Sequence, residues 1–412
     1  MTVTIDSARL SSEIEALASI SDSEPPAITR IVFTPTDLKA RAWLIERCEE
    51  AGLAVRCDAI GNTFARWNGS EPGAPVVGTG SHIDAIPNAG RYDGVVGVLG
   101  GLEAIRALQR HRFRPKNPIE LVLFTSEEPT RFGIGCLGSR LLSGSLSADA
   151  ARKLHDIDGK SLEEVRLAAG MRGELEEVKL PRGYYKAFLE MHIEQGPVLE
   201  RENVNLGLVR KIAAPASARI LIEGSGGHAG SVLMPDRRDA LCAASELILA
   251  IEHAARSSES TDTVATVGIC EVFPGAVNSI PSQIRLSLDI RDTHLPRRDR
   301  VIGAISEASQ RIARKREVAA RIDMLNADAP AECASGIVEA LCCACEKRGL
   351  SFQHMISRAY HDSLFISRIA PVGMLFIPCR NGYSHRPDEY ASPEAIVHGT
   401  LVLADTLASL SA

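Results

Sequence analysis

The 412-residue sequence has no surplus of positive charge: 46 Lys and Arg stand against 52 Asp and Glu, a formal net charge of −6. Without a general attraction to phosphate backbones, nucleic acid is not an expected partner. No run of 18 or more apolar residues is present, so nothing in the sequence reads as a membrane span. The opening stretch, MTVTIDSARLSSEIEALASISD, lacks the basic start and apolar core of a secretory leader. The ten cysteines show no disulfide framework. Cys333, Cys342, Cys343 and Cys345 do cluster, but in a stretch patterned as a helix, where residues two apart do not face each other. These absences predict a cytoplasmic protein with reduced, mostly buried thiols. Internal repeats and low-complexity linkers are missing as well.

What is present is ordinary globular material, 45% hydrophobic and 24% charged, long enough for two or three domains. Residues 1–60 read mainly as helices, the second capped at Thr36 or Asp37 and ended by Gly52. Two short strands follow between Val55 and Trp67, with a turn at Gly61-Asn62. The apolar stretch APVVGTGSHID then predicts a strand, residues 85–94 a loop, and residues 95–109 a helix. IELVLFT is a strand without strict alternation, as expected where helices cover both faces of a sheet. AFLEMHI and VGMLFIP continue the same pattern, and residues 393–410 close it with a helix. This order predicts a mostly parallel α/β sheet, with its site beyond the C-terminal strand ends. From Ala218 the order changes to β-α-β-β-α-β, the pattern of a ferredoxin-like α+β domain. The boundaries are expected at 1–212 plus 328–412 for the α/β domain and 213–327 for the inserted one.

Polar residues gather at the predicted strand ends: His82, Asp93, Glu127-Glu128, His192 and His385, with Asp84 two residues past His82. Singly, each is as well explained by a hydrogen-bonded surface or core side chain. Together, several carboxylates at the ends of apolar strands would repel one another unless a cation neutralises them. The mixture of His nitrogens and carboxylate oxygens suits Zn, Mn, Co or Ni better than Ca. Two cations would need one bridging carboxylate to hold them about 3.5–4 Å apart. The alternative is an α/β enzyme whose charges pair internally.

The segments GSHIDAIPNAGRYDGVVGVLGGLEAI, FTSEEPTRFGIGCLGSRLL, LEMHIEQGPVLE, GGHAGSVLMPDRRDA, VNSIPSQIRLSLDIRD and SRAYHDSLF…FIPCRNGYSHRPDEY resemble the di-metal amidohydrolases related to M20 aminopeptidases. The branch they resemble holds N-carbamoyl-L-amino-acid, allantoate and ureidoglycolate amidohydrolases. That resemblance implies an aminopeptidase-like catalytic domain with an inserted lid and dimerisation domain, working as a homodimer on a small ureido acid bearing a carboxylate. It implies that His82 and His192 bind one cation, Glu128 and His385 the other, and Asp93 both. Manganese is the first expectation, with Zn, Co or Ni as alternatives. Asp84 is expected to accept a hydrogen bond from His82, and Glu127 to act as general base. His228 and Asn278 would stabilise the oxyanion from a partner subunit, Arg291 would grip the carboxylate, and Gln195 the ureido group. Many members of the branch carry Gly-Ala-Gly-His-Asp where this chain has Ser357-Arg358-Ala359-Tyr360-His361-Asp362. Tyr360 before His361, with SEEPTRFGI, AAPAS and FIPCRNGYSH, resembles the ureidoglycolate amidohydrolases of purine breakdown. The alternatives are the allantoate and N-carbamoyl-L-amino-acid activities and, more remotely, a non-catalytic dimeric binding protein.

Overall fold

The computed structural model describes residues 3–412, in two compact units. The first comprises the chain up to Arg210 together with Glu332–Ser357 and His361–Ala412. The second comprises Lys211–Ala331 and, unannounced by any sequence signal, the tripeptide Arg358–Tyr360.

The first unit is built on a nine-stranded sheet. Its centre is four mutually parallel strands in the order Val372–Ile377, Tyr185–Ile193, Val76–Ser81 and Ile119–Leu123. Antiparallel strands flank them: Leu206–Ile212 on one side, Thr63–Trp67 and then Ala54–Cys57 on the other. The central strands are buried nearly end to end, which is why their sequences are mostly apolar without strict alternation, with Glu120 and Glu190 buried among the apolar residues. Alternate side chains serve opposite faces. Leu189, Met191 and Ile193 enter a core with helices Val95–Arg110 and Pro393–Ser411. Phe188 and Val122 enter another with helices Leu137–Ser143 and Leu162–Ala168.

Three local expectations are corrected. Ala85–Ala89, expected as loop, is a strand paired antiparallel with Ile28–Arg30. Helix Pro35–Glu50 is capped by Thr34, whose side chain accepts from the Asp37 N–H, because Pro35 takes the first helical position. Asp37 instead accepts from Phe33 N–H and pairs with Arg41. The ten cysteines are free, but only Cys48, Cys136, Cys345 and Cys379 are buried. Hydrophobicity alone could not tell core thiols from those on exposed helix and strand faces.

The second unit is a four-stranded antiparallel sheet in the order Val264–Phe273, Gln283–Asp292, Ala214–Glu223, Ala319–Ala327. Helices Ala240–Arg256 and Leu295–Arg316 pack on one face, burying Ile284, Leu286, Leu288 and Ile290 of the central strand. The two edge strands leave Ile269, Met324 and Leu325 exposed.

Candidate metal centre

The four parallel strands end side by side, and the polar loops that follow them converge. His82 directly follows Val76–Ser81, His192 lies near the end of Tyr185–Ile193, Glu127 and Glu128 follow Ile119–Leu123, and His385 follows Val372–Ile377. Asp93 sits just ahead of helix Val95–Arg110. Its Oδ1 lies 3.0 Å from His192 Nε2 and 3.5 Å from His82 Nε2. Its Oδ2 lies 3.5 Å from His385 Nε2, which in turn is 3.2 Å from Glu128 Oε1. Two ligand sets result, His82–Asp93–His192 and Asp93–Glu128–His385, each with its ligand atoms within 4.8 Å of one another. Asp93 belongs to both. Borderline divalent cations fit this donor set, since imidazole nitrogens and carboxylate oxygens meet in each half.

The rings are fixed from behind. His82 Nδ1 meets the Asp84 backbone carbonyl at 3.0 Å, and His192 Nδ1 meets the Ile193 carbonyl at 3.0 Å. A carbonyl accepts only from Nδ1–H, so Nε2 is the nitrogen each ring would offer a cation; in His192 that atom also accepts from the Gly94 N–H at 3.1 Å. The Asp84 carboxylate is therefore not the group that orients His82; it stands 3.7 Å from Nδ1. It accepts instead from the backbone N–H groups of Glu127 (3.2 Å) and Glu128 (3.0 Å), aligning both glutamates. Burial lifts Asp84 to about 6. Gly94, at φ 67°, permits the approach of the Asp93 loop: a Cβ there would lie 2.5 Å from the His82 ring.

The electrostatics follow from so many acids and imidazoles in little water. Burial alone would lower His82, but Glu127, Asp93 and Asp84 overcome it and hold the imidazole well above its usual range. His385, hydrogen-bonded to Asp93 and Glu128, is raised to about 11. Burial works against ionised Asp93, yet His192, His385 and His82 keep it well below the ordinary carboxylate range. Glu127 is held well above its usual value by burial; His82 opposes this, and Glu128 adds to it. Glu127 Oε2 is 3.7 Å from His82 Nε2, and Oε1 accepts from the Cys136 thiol at 3.4 Å.

The other expected residues fall into three places. Gln195, at φ 54°, donates from Nε2 to Asp93 Oδ2 at 2.7 Å, while its Oε1 is buried without a partner. The ring of His361 lies 4.5 Å from that of His192, with Nε2 3.0 Å from Ser357 Oγ. In the second unit, Arg291 donates to Asp289 Oδ1 (2.8 Å) and to the Arg358 carbonyl (3.3 Å), with its guanidinium 5.8 Å from the centre of the Tyr360 ring. His228 and Asn278 also lie there, at one small bridge where Gly227–His228 pairs with Ser279–Ile280 and Ala229 N–H donates to the Asn278 carbonyl. Sequence reasoning missed Ser384, whose Oγ donates to Asp93 Oδ2 at 2.5 Å, and the Cys136 thiol on Glu127. Adjacency to His385 could have flagged Ser384, whereas no sequence signal tied Cys136 to Glu127.

The sequence pattern of Peptidase family M20/M25/M40 matches residues 78–409. The chain is 51% identical to a ureidoglycolate hydrolase of Arabidopsis thaliana, over 99% of this chain and 87% of that protein. It is 49% identical to one of Oryza sativa subsp. japonica, over 99% and 85%. The crystal structure of AtUAH in complex with glyoxylate superposes with a TM-score of 0.91 at 50% identity, covering 100% of this chain and 99% of the other; the complex with (S)-hydroxyglycine gives the same values.

Proposed function

The chain belongs to the M20/M25/M40 peptidase family, and from that premise we propose that it hydrolyses (S)-ureidoglycolate to glyoxylate, ammonia and carbon dioxide in purine catabolism, using two divalent cations, manganese first among them. The observation that carries this reading is the pair of ligand sets sharing Asp93. The substrate follows from likeness to ureidoglycolate hydrolases over the whole chain, and from the glyoxylate and hydroxyglycine held by their structural relative.

Cations bound at these sets would acidify a water between them and polarise the ureido carbonyl. Glu127, outside both ligand sets, takes a proton from the attacking water and returns it to the departing nitrogen. Its backbone is fixed by Asp84 and one of its oxygens by Cys136, leaving Oε2 toward His82 and the reacting atoms. Water adds to the ureido carbon, the bond to the hydroxyglycine nitrogen breaks, and carbamate departs to give ammonia and carbon dioxide. Hydroxyglycine then loses ammonia to yield glyoxylate. We assign the substrate carboxylate to Arg291, one wall of the pocket to Tyr360 beside His361, the ureido group to Gln195, and the oxyanion to the partner subunit's His228 and the partner subunit's Asn278. A homodimer is supported by the apolar edge strands of the second unit, where exposed Ile269, Met324 and Leu325 invite pairing. No helix among the described residues is long and apolar enough to cross a membrane, and we place the protein in the cytoplasm.

The deciding experiment compares kcat/KM of the manganese-loaded protein on ureidoglycolate, allantoate and several N-carbamoyl-L-amino acids. Ureidoglycolate should lead by at least about tenfold. A preference for either other class would overturn the substrate, and activity unaffected by chelation would overturn the metal chemistry.

A further inference from the structure

We propose that Glu389 is a positioning residue for the metal centre, its carboxylate fastening the loop of Asp93 to the loop of His385 so that both reach one cation. The inference rests on the ligand assignment made above.

Glu389 is 4% exposed, yet it has no cationic side chain among its hydrogen-bond partners. Its Oε1 accepts from two successive backbone N–H groups, those of Tyr92 at 2.8 Å and Asp93 at 3.1 Å. The peptide plane entering Asp93 is thereby fixed by a residue 296 positions away in sequence. Both sides of the contact are shaped for it. A Cβ on Gly90 would fall 2.3 Å from Glu389 Cβ and 2.4 Å from Oε1, so the glycine opens the space that the carboxylate fills. The neighbouring rings of Tyr92 and Tyr390 meet edge to face at 5.9 Å.

On its own side, Glu389 closes the turn that immediately follows His385. Its N–H donates to the Arg386 carbonyl, Arg386 pairs with Asp388, and Arg380 N–H donates to the Tyr390 carbonyl. His385 within this loop is held at φ 59°. A second buried acid beside Asp93 is unfavourable by charge alone. A neutral group could glue two loops at lower electrostatic cost. What the two N–H groups require is an oxygen at this reach, and their hydrogen bonds, not the charge of Glu389, direct Asp93 toward the cations.

The test is manganese titration of chelator-treated protein by calorimetry, with bound metal counted by elemental analysis and folding followed by circular dichroism. Glu389→Gln keeps an oxygen for both N–H groups and should bind metal as wild type does. Glu389→Ala, Glu389→Asp (too short to reach both N–H groups) and Gly90→Ala should each weaken one of the two cations by ~10–100-fold. Saturating manganese should return kcat toward wild type in each. Wild-type dissociation constants in folded Glu389→Asp and Gly90→Ala would overturn the proposal even if thermal stability fell. Asp93→Ala and His385→Ala serve as controls: if they keep both cations, the ligand assignment fails; if they lose metal while the Glu389 and Gly90 variants do not, only the positioning role fails.

Discussion

At the scale of single residues, we assign neighbouring Glu127 and Glu128 different tasks. Glu128 faces His385 in a ligand set, whereas Glu127 points toward His82 outside both sets. Glu127→Gln should retain near-normal metal content while kcat falls by roughly 10²–10⁴ and KM moves little. A variant that loses metal and regains activity on reloading would exchange the two roles. The imidazoles make a second expectation. Asp93 and Glu128 raise His385 to about 11, so a cation arriving at Nε2 at pH 7.5 must displace a proton from it. Apparent metal affinity should therefore rise with pH through the neutral range, with about one or more protons released per chain. Calorimetry in buffers of different ionisation enthalpy measures this directly, and zero release would contradict it. The residue types at these positions were legible in the sequence because buried acids and histidines at strand ends demand a partner. The Asp84 correction was not: whether a carbonyl or a carboxylate orients His82 depends on backbone path, which residue identity does not encode.

At the scale of elements, the parallel strands declared themselves because burial on both faces leaves apolar stretches without alternation, such as LVL and MLFI. Ala85–Ala89 did not, since AIPNA contains Pro87 and Asn88, the latter at φ 58°, and its partner Ile28–Arg30 lies more than fifty residues earlier. Tertiary pairing overrode weak local propensity there. The same junction carries a sharp sensitivity. Gly94 is the N-cap of helix Val95–Arg110, and a Cβ there would lie 2.5 Å from the His82 ring, so Gly94→Ala must relieve both a positive φ and that clash. We expect at least about tenfold weaker metal binding with helical content unchanged; circular dichroism with metal titration checks both, and wild-type metal affinity would show that the loop can yield.

At the scale of the whole molecule, the candidate metal ligands span the chain from His82 to His385, and the common direction of four parallel strands gathers them. The fold class was legible from the change between apolar stretches and a β-α-β-β-α-β order, whereas pairing between copies is expected on the family resemblance alone, because a monomer pattern does not say which edge is covered. If the partner subunit's His228 acts on the substrate, His228→Ala and Glu127→Ala homodimers should each be nearly inactive. Mixing them under verified exchange should restore activity in one of the two hybrid sites, and no recovery would place His228 outside that role.

The tripeptide Arg358–Tyr360 has a consequence for how such chains can be recombined. The second unit is not a single contiguous insert: it takes Lys211–Ala331 and then borrows three residues from far downstream, against which Arg291 rests through the Arg358 carbonyl and the Tyr360 ring. A chimera that exchanges residues 211–331 between relatives transplants an incomplete body and leaves Arg291 against a foreign tripeptide. Substrate preference should travel with the graft only when 358–360 is exchanged together with 211–331, which makes these two distant stretches one heritable unit.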